Sequence, residues 1–293
     1  MTVAVGFFDG VHLGHRKILS GAHMALTFSR HPLSVLAPEK APQLITSLED
    51  KIAAIRSCGV EEVRALDFTP SLAAMPPQEF AAKFLCGDER TAKPVVRCGA
   101  NWRFGRDGKG DAAFLRSLGY TVEVVDYAEY ENSAISSTRI RRALESGEIE
   151  KANTMLGRPF AVDGKLAHGK GVGGKIGYPT LNFILRENLP RLPFGVYACT
   201  FRGVRAVANY GLAPTMGDLA WQSPVLEVHL LEEIDESMNR EIDQFLLSWA
   251  CCPDDRAQKV ALLSFLRPER KFASTEELVA QIARDVERAK SFK

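Results

Sequence analysis

The sequence predicts two domains of different class: a parallel α/β sheet over residues 1–157 and an antiparallel β-barrel with a C-terminal helix over residues 158–293. Three observations carry this. At 293 residues the chain is about two domains long, at roughly 150 residues each. The first half alternates strand-like and helix-like segments, the pattern of a parallel sheet covered on both faces. The second half turns to short strand-like runs separated by Gly and Pro, the spacing of an antiparallel barrel.

In order, strands are expected over 2–6, 25–28, 60–66, 95–98 and 122–125, and helices over 12–19, 48–58, 77–85 and 112–118. Gly59 and Gly119 stop two of the helices. A helix over 137–144 runs to Gly147, and a second over 148–156 runs to Gly157, where the domain boundary is expected. Barrel strands follow over 160–167, 180–185, 195–201, 204–210 and 225–231. Near the C-terminus Ser274 and Glu277 form a capping box, and Leu278, Ile282 and Val286 repeat on one helical face, so this helix is expected to pack on the barrel. The stretch 250–264, with Cys251, Cys252, Pro253, Asp254 and Asp255, reads as an insertion before Phe265.

A net charge of +1 gives no basic excess that would call for nucleic acid or an anionic membrane surface. No apolar run reaches the ~20 residues of a transmembrane helix, and the N-terminus opens on a strand-like segment rather than a signal peptide. The six cysteines form no C-x-x-C pair, so a structural zinc site is not expected, and a reduced, cytoplasmic setting fits. Nothing in the sequence fixes an oligomeric state.

The first stretch that carries chemistry is Gly6-Phe7-Phe8-Asp9-Gly10-Val11-His12-Leu13-Gly14-His15, which follows a buried strand and opens a helix. Two histidines three apart share a face at the first helical turn, where free N–H groups favour phosphate. The second is Ile135-Ser136-Ser137-Thr138-Arg139-Ile140-Arg141. Ser137 alone is explained as an N-cap. The remaining hydroxyls and arginines suit a pyrophosphate leaving group, which needs donors and positive charge. Together these two elements resemble the nucleotidyltransferase superfamily and imply a Rossmann-like fold. Adenylyl transfer there works by orientation and charge stabilisation without a protein nucleophile. The resemblance implies ATP against Phe8, Asp9, Gly10, His12, His15, Ser136, Ser137, Thr138 and Arg141, with His12 and His15 stabilising the transition state.

Thr27-Phe28-Ser29-Arg30-His31-Pro32 resembles an element of the flavin-specific branch, with Arg30 in place of the usual proline. Cys98-Gly99-Ala100-Asn101-Trp102-Arg103-Phe104-Gly105 resembles another. The branch binds FMN in these regions, which implies Phe28, His31, Pro32 and Asn101 as flavin contacts. Trp102 and Phe104 read equally well as core aromatics.

In the second half, 168–182 is the most glycine-dense stretch. Gly169, Gly171 and Gly174 match G-x-G-x-x-G, and 169–175 match G-x-x-x-x-G-K. Ile176 stands where a P-loop needs Ser or Thr, however, and Gly177-Tyr178-Pro179 cannot open the helix both motifs require. What remains is a Lys-bearing loop able to fold over phosphates, leading into Thr180 and Asn182 on one side of a strand. A hydroxyl and an amide oxygen suit Mg²⁺ when phosphates and waters complete its shell. Glu227 sits in an otherwise apolar strand.

This loop with Pro-Thr-x-Asn, preceded by Leu156-Gly157-Arg158-Pro159 and followed by 207–211, 226–229 and 265–272, resembles the riboflavin kinase barrel. The whole chain is thus similar to the bifunctional riboflavin kinase/FMN adenylyltransferase family. The resemblance implies Glu227 as general base toward the ribityl hydroxyl and ATP as co-substrate. It also implies Mg²⁺ at Thr180 and Asn182, and an ATP/flavin loop of Arg158, Gly169, Lys170, Gly171, Gly173, Gly174, Lys175, Thr180 and Asn182. Two alternatives stand beside the bifunctional reading: a riboflavin kinase with a degenerate first domain, and a non-catalytic flavin-binding protein.

Overall fold

The computed structural model describes residues 1–85, 93–167, 178, 180–212, 224–231 and 257–292. By packing, these divide into one unit of Met1–Ile140 with Met155–Gly157 and another of Arg141–Thr154 with Arg158–Lys293.

The first unit is built on β1 (Thr2–Val5), β2 (Met24–Phe28), β3 (Glu62–Leu66), β4 (Val95–Gly99) and β5 (Thr121–Val125). Their order is β3-β2-β1-β4-β5, and every pairing is parallel. Strand alternation feeds two cores. Val3, Val5, Met24, Leu26, Val96 and Cys98 pack on one face with Phe80 and Leu115. Ala4 and Ala25 pack on the other with Ile18 and Leu19 of α1 (Leu13–Leu19) and Ile55 of α2 (Leu48–Arg56). The link from α1 into β2 is short. It turns at Gly21, whose φ is 73°, and α1 still buries Ile18 and Leu19.

The helix starts follow local chemistry. Ser47 accepts from the Asp50 amide at 3.1 Å to start α2, and Asp111 accepts from the Phe114 amide at 2.8 Å to start α3 (Ala112–Ser117). The helix expected over 77–85 is α-helical only at Pro77–Phe80 and widens to a π-type turn over Ala81–Leu85. A two-stranded hairpin, β6 (Glu129–Tyr130) and β7 (Ser133–Ala134), leads into α4 (Ser137–Glu145) and then α5 (Ile149–Leu156). Asn153 of α5 donates to the Leu262 carbonyl at 2.9 Å and accepts from the Phe160 amide at 2.7 Å, which counts α5 largely with the second unit.

That second unit is a closed antiparallel barrel, β10-β11-β12-β9-β8-β13. Its strands are β8 (Phe160–Ala167), β9 (Leu181–Leu185), β10 (Gly195–Phe201), β11 (Val204–Leu212), β12 (Pro224–Leu230) and β13 (Gln258–Pro268). The sequence reading expected five of these and assigned 258–264 to an insertion. That assignment is corrected: these residues are the first part of β13, which pairs with both β10 and β8. Val260 and Leu262 are buried, while Leu263 and Leu266 pack with Val286 and Ala289 of the C-terminal helix. Both faces are therefore apolar, and the period-2 signal that betrays a half-exposed strand is lost. The rest of the expected insertion, 250–256, lies outside the described residues.

The C-terminal helix α6 (Thr275–Lys290) is capped by Ser274, which accepts from the Glu277 amide at 3.3 Å. The return bond from Glu277 reaches the Ala273 amide, one residue earlier than a capping box would have it. Val286 and Ala289 pack with Val196, Ala198 and Leu266. Asp285, 5% exposed, takes a two-pronged bond from Arg267 of β13, with its shortest contact at 2.8 Å.

Candidate functional site

In the first unit the carboxyl ends of β1, β4 and β5 converge on a cleft of about 320 Å³. This is where open parallel sheets bind ligands, beside the point at which strand order reverses. Val5, Gly6, Phe8, His12, Gly14 and His15 supply one wall, and Ile135, Ser136, Ser137 and Thr138 another. Ile18, Gly99, Asn101, Trp102, Val125, Asp126 and Tyr127 complete it.

The loop after β1 holds three residues in the left-handed region, Phe8 at φ 56°, Gly10 at 80° and Val11 at 40°. Strain of this kind persists only when the surroundings over-determine it, and Asp9 is what does so here. Its carboxylate is 3% exposed and accepts from the Ile45 amide at 3.0 Å and the Thr46 amide at 3.3 Å. Thr46 in turn accepts from the Gly10 amide at 3.2 Å. Asp9 and Gly10 were expected against ATP. Neither lines the cleft, and both shape the loop that does.

His12 is the N-cap of α1: its Nδ1 accepts from the His15 amide at 3.2 Å. With Nδ1 committed as acceptor, a neutral His12 carries its proton on Nε2. The two imidazoles are stacked, 3.6 Å between centroids and 17° between planes. Gly14 makes this possible, because a Cβ there would stand 3.2 Å from the His12 ring. Phe8 meets His15 edge-on at 5.3 Å. His15 Nδ1 is buried and makes no hydrogen bond. Burial first, then the neighbouring His12 and Lys51 charges, hold the His15 pKa well below the usual value of 6.5, so the ring is neutral at pH 7.

Opposite, the expected N-cap is corrected. Ser136, not Ser137, caps α4 by accepting from the Arg139 amide at 3.2 Å, while the Ser137 hydroxyl donates to the Asp9 carbonyl at 2.9 Å. Ser137 thus ties α4 to the loop after β1. Arg139 is spent on the hairpin, donating to the Tyr130 and Ser133 carbonyls at 2.7 and 2.8 Å. Arg141 is half-buried on α4 and is not among the lining residues.

Of the expected flavin contacts, Asn101 lines the cleft, while Phe28, His31 and Pro32 do not. They lie at and just past the end of β2, the strand beside β1. Phe28 packs edge-on to Phe68 at 5.1 Å. His31 accepts from the Leu33 amide at 3.1 Å and meets the Phe7 ring at 4.8 Å. Arg30, in place of the usual proline, pairs with Asp67 at 2.8 Å on the surface. Trp102 stacks on the buried Phe104 at 4.6 Å and presents itself to the cleft, so one aromatic is core and the other wall.

Sequence reading missed Asp126 and Tyr127, legible only as the residues following a parallel strand, and it missed Lys51. On α2, Lys51 is 3% exposed, donates to the Phe28 carbonyl at 2.6 Å and lies 4.1 Å above the Phe7 ring. Burial lowers its pKa from 10.5 to about 8, against the opposing pull of Asp9.

In the barrel, Glu227 lies directly across β12 from Asn182 on β9 and from Asn209 on β11. Asn209 donates to Glu269 at 3.4 Å. Burial, and then the Glu269 charge, push the Glu227 carboxyl above its ordinary value. That makes Glu227 the stronger base. Thr180, half-buried, stands one residue before β9. Arg158 is half-buried after α5. Gly169, Lys170, Gly171, Gly173, Gly174 and Lys175 lie outside the described residues.

Comparisons with known proteins match both units. The family model described as FAD synthetase matches residues 1–139, and the one described as riboflavin kinase matches 156–293. A bifunctional riboflavin kinase/FMN adenylyltransferase of Escherichia coli (strain K12) is 34% identical over 99% of this chain and 92% of its own length. The chain belongs to the bifunctional riboflavin kinase/FMN adenylyltransferase family. A member from Bacillus subtilis (strain 168) is 32% identical over 98% of this chain and 90% of its own. A solved structure described as a macrolide-efflux protein from Streptococcus pneumoniae superposes with a TM-score of 0.81 at 26% identity, covering 100% of this chain and 94% of that one. Among the described residues no helix is long and apolar enough to cross a membrane.

Proposed function

We propose that residues 158–293 transfer the γ-phosphoryl group of ATP to riboflavin, giving FMN and ADP, and that residues 1–157 transfer the adenylyl group of a second ATP to FMN, giving FAD and pyrophosphate. The observation that carries this reading is the stacked pair His12–His15 facing the hydroxyls of Ser136 to Thr138 across one cleft. It occurs in a chain whose full-length relatives bear both activities in their names.

In adenylyl transfer a phosphate oxygen of FMN attacks the α-phosphorus of ATP and pyrophosphate leaves. Negative charge builds on the non-bridging oxygens and on the leaving group. The imidazole N–H groups are assigned as donors there, and the hydroxyls of Ser136 and Thr138 are assigned to the leaving phosphates. The wall of Ile18, Trp102, Val125 and Tyr127 offers the apolar surface a base or isoalloxazine ring needs. Asn101 is the flavin contact of choice on this wall, with Phe28, His31 and Pro32 extending the site along β2, and Arg141 is retained as a phosphate contact.

In phosphoryl transfer Glu227 takes the proton of the ribityl 5′-hydroxyl as that oxygen attacks the γ-phosphorus. General-base help of this sort is worth about 10²–10⁴-fold, and positioning accounts for most of the rest. Arg158 and the glycine loop are assigned to the phosphates. The Thr180 hydroxyl and Asn182 amide oxygen fit Mg²⁺ by donor chemistry, being hard oxygens beside a carboxylate. Mg²⁺ commonly reaches such sites with the nucleotide phosphates and keeps several waters. When bound, Mg²⁺ would neutralise charge on the transferring phosphates. Cys58, Cys98 and Cys199 form no disulfide, which suits the cytoplasm.

The test is direct. The chain is incubated with riboflavin and Mg-ATP, and the flavins are resolved by chromatography. FAD formation supports both activities. FMN as the sole product leaves the kinase alone, and unchanged riboflavin overturns the proposal.

A further inference from the structure

An aromatic ring and a backbone carbonyl from the ends of two neighbouring strands meet at Lys51. Its ammonium donates to the Phe28 carbonyl at the end of β2 and lies 4.1 Å over the Phe7 ring just past β1. The Phe7 ring then meets His31 edge-on at 4.8 Å, and the Phe7 carbonyl accepts from the Thr27 hydroxyl at 2.9 Å. The strand end that leads to the histidine pair and the strand end that leads to the His31 segment are therefore joined through one cation. A methionine of similar length would fill this space without a desolvated charge, and apolar replacements of buried charges are often neutral or stabilising for folding. Folding alone does not call for a lysine here.

We propose that Lys51 is a positioning residue for adenylyl transfer: its buried ammonium clamps the ends of β1 and β2 at the spacing at which the His12–His15 pair and the His31 segment present ATP and FMN to one another. This rests on the adenylyltransferase reading above. The charges that face Lys51 are Asp9, from the loop after β1, and, from α1, His15, whose protonation Lys51 disfavours. The Lys51 charge thus adds to burial, the larger cause, in disfavouring a protonated His15.

The test uses the full chain and Lys51→Met. FMN adenylylation is followed as kcat and KM for each substrate, riboflavin phosphorylation serves as internal control, and His15 is titrated by two-dimensional NMR. The expected result is a folded protein with unchanged phosphorylation and a kcat for FAD formation lower by roughly 10²-fold, the scale of a misplacement of about 1 Å. The KM for ATP should change little, and the His15 titration should move upward. Wild-type kcat with an unmoved His15 overturns the proposal. Should Lys51→Met not fold, Lys51→Gln keeps an N–H for the Phe28 carbonyl without the charge and carries the same expectations. If neither variant folds, Lys51 is structural and the proposal is again overturned. Failure of the parent reading looks different: either the wild-type chain makes no FAD from FMN, or His12→Ala and His15→Ala leave FAD formation intact.

Discussion

Replacing Asp9 by alanine separates shaping from chemistry in the loop after β1. The carboxylate is 3% exposed and holds the amides of Ile45 and Thr46. Truncation leaves two buried donors without their acceptor, at about 1–3 kcal/mol each, so about 4 kcal/mol of stability is at stake. A domain of this size shifts its melting point by about 2–4 °C per kcal/mol, which puts the expected loss at roughly 10 °C. Asp9→Asn, which keeps one carbonyl oxygen, should fall between the two. Thermal unfolding followed by circular dichroism reads all three proteins, with FMN adenylylation measured in parallel. Activity should decline with stability. An Asp9→Ala protein that melts like the parent yet makes no FAD would refute the reasoning, because the carboxylate would then be acting on substrate rather than on the backbone.

Glu227→Gln should reduce riboflavin phosphorylation by about 10²–10⁴-fold while FAD formation from added FMN continues; parental FMN formation in a radiometric assay would remove Glu227 as base. His15 should remain neutral well below pH 6.5. A neutral ring in the fold means that the unfolded chain takes up the proton first, so the stability linked to this residue is complete above 6.5 and drains away as pH falls toward the lowered folded value. His12→Ala should raise the His15 titration, and a His15 already charged at pH 6.5 in NMR would contradict the burial argument. Gly195→Ala should disrupt the barrel, since at φ 153° its Cβ would run into the Arg267 carbonyl and come within 2.7 Å of the Phe265 ring. FMN formation should be lost with adenylylation retained, and a barrel that melts normally would show the backbone there to be more pliable than its geometry implies.

The α/β half was legible because its strands alternate with helices, two of which stop at Gly59 and Gly119, and because His12, Gly14 and His15 fall in one local turn. What the sequence could not convey is which of several adjacent hydroxyls does which task. Ser136 and Ser137 look alike in one dimension, and a distant carbonyl, that of Asp9, sorts them. Asp9 was expected against ATP because the family resemblance implies it, and the first amide its carboxylate accepts from, that of Ile45, lies thirty-six residues on. Lys51 lies within the helix expected over 48–58 and carried no signal of its own there; only tertiary packing buries it. In the barrel, Glu227 was conspicuous as a lone charge in an apolar run. β13 was hidden by the opposite circumstance, apolar residues on both of its faces.

Barrel closure has one more consequence. A sheet that meets itself offers no unpaired backbone row to another chain, whereas the five-stranded sheet ends in β3 and β5. Those two outer strands carry Glu62, Arg64 and Glu123, and Arg97 of the neighbouring β4 reaches across to Glu123 at 2.8 Å. Charge on the rims is a common natural guard against strand-to-strand association. Neutralising these three positions together should therefore make the adenylyltransferase half, and not the kinase half, the seed of aggregation during refolding.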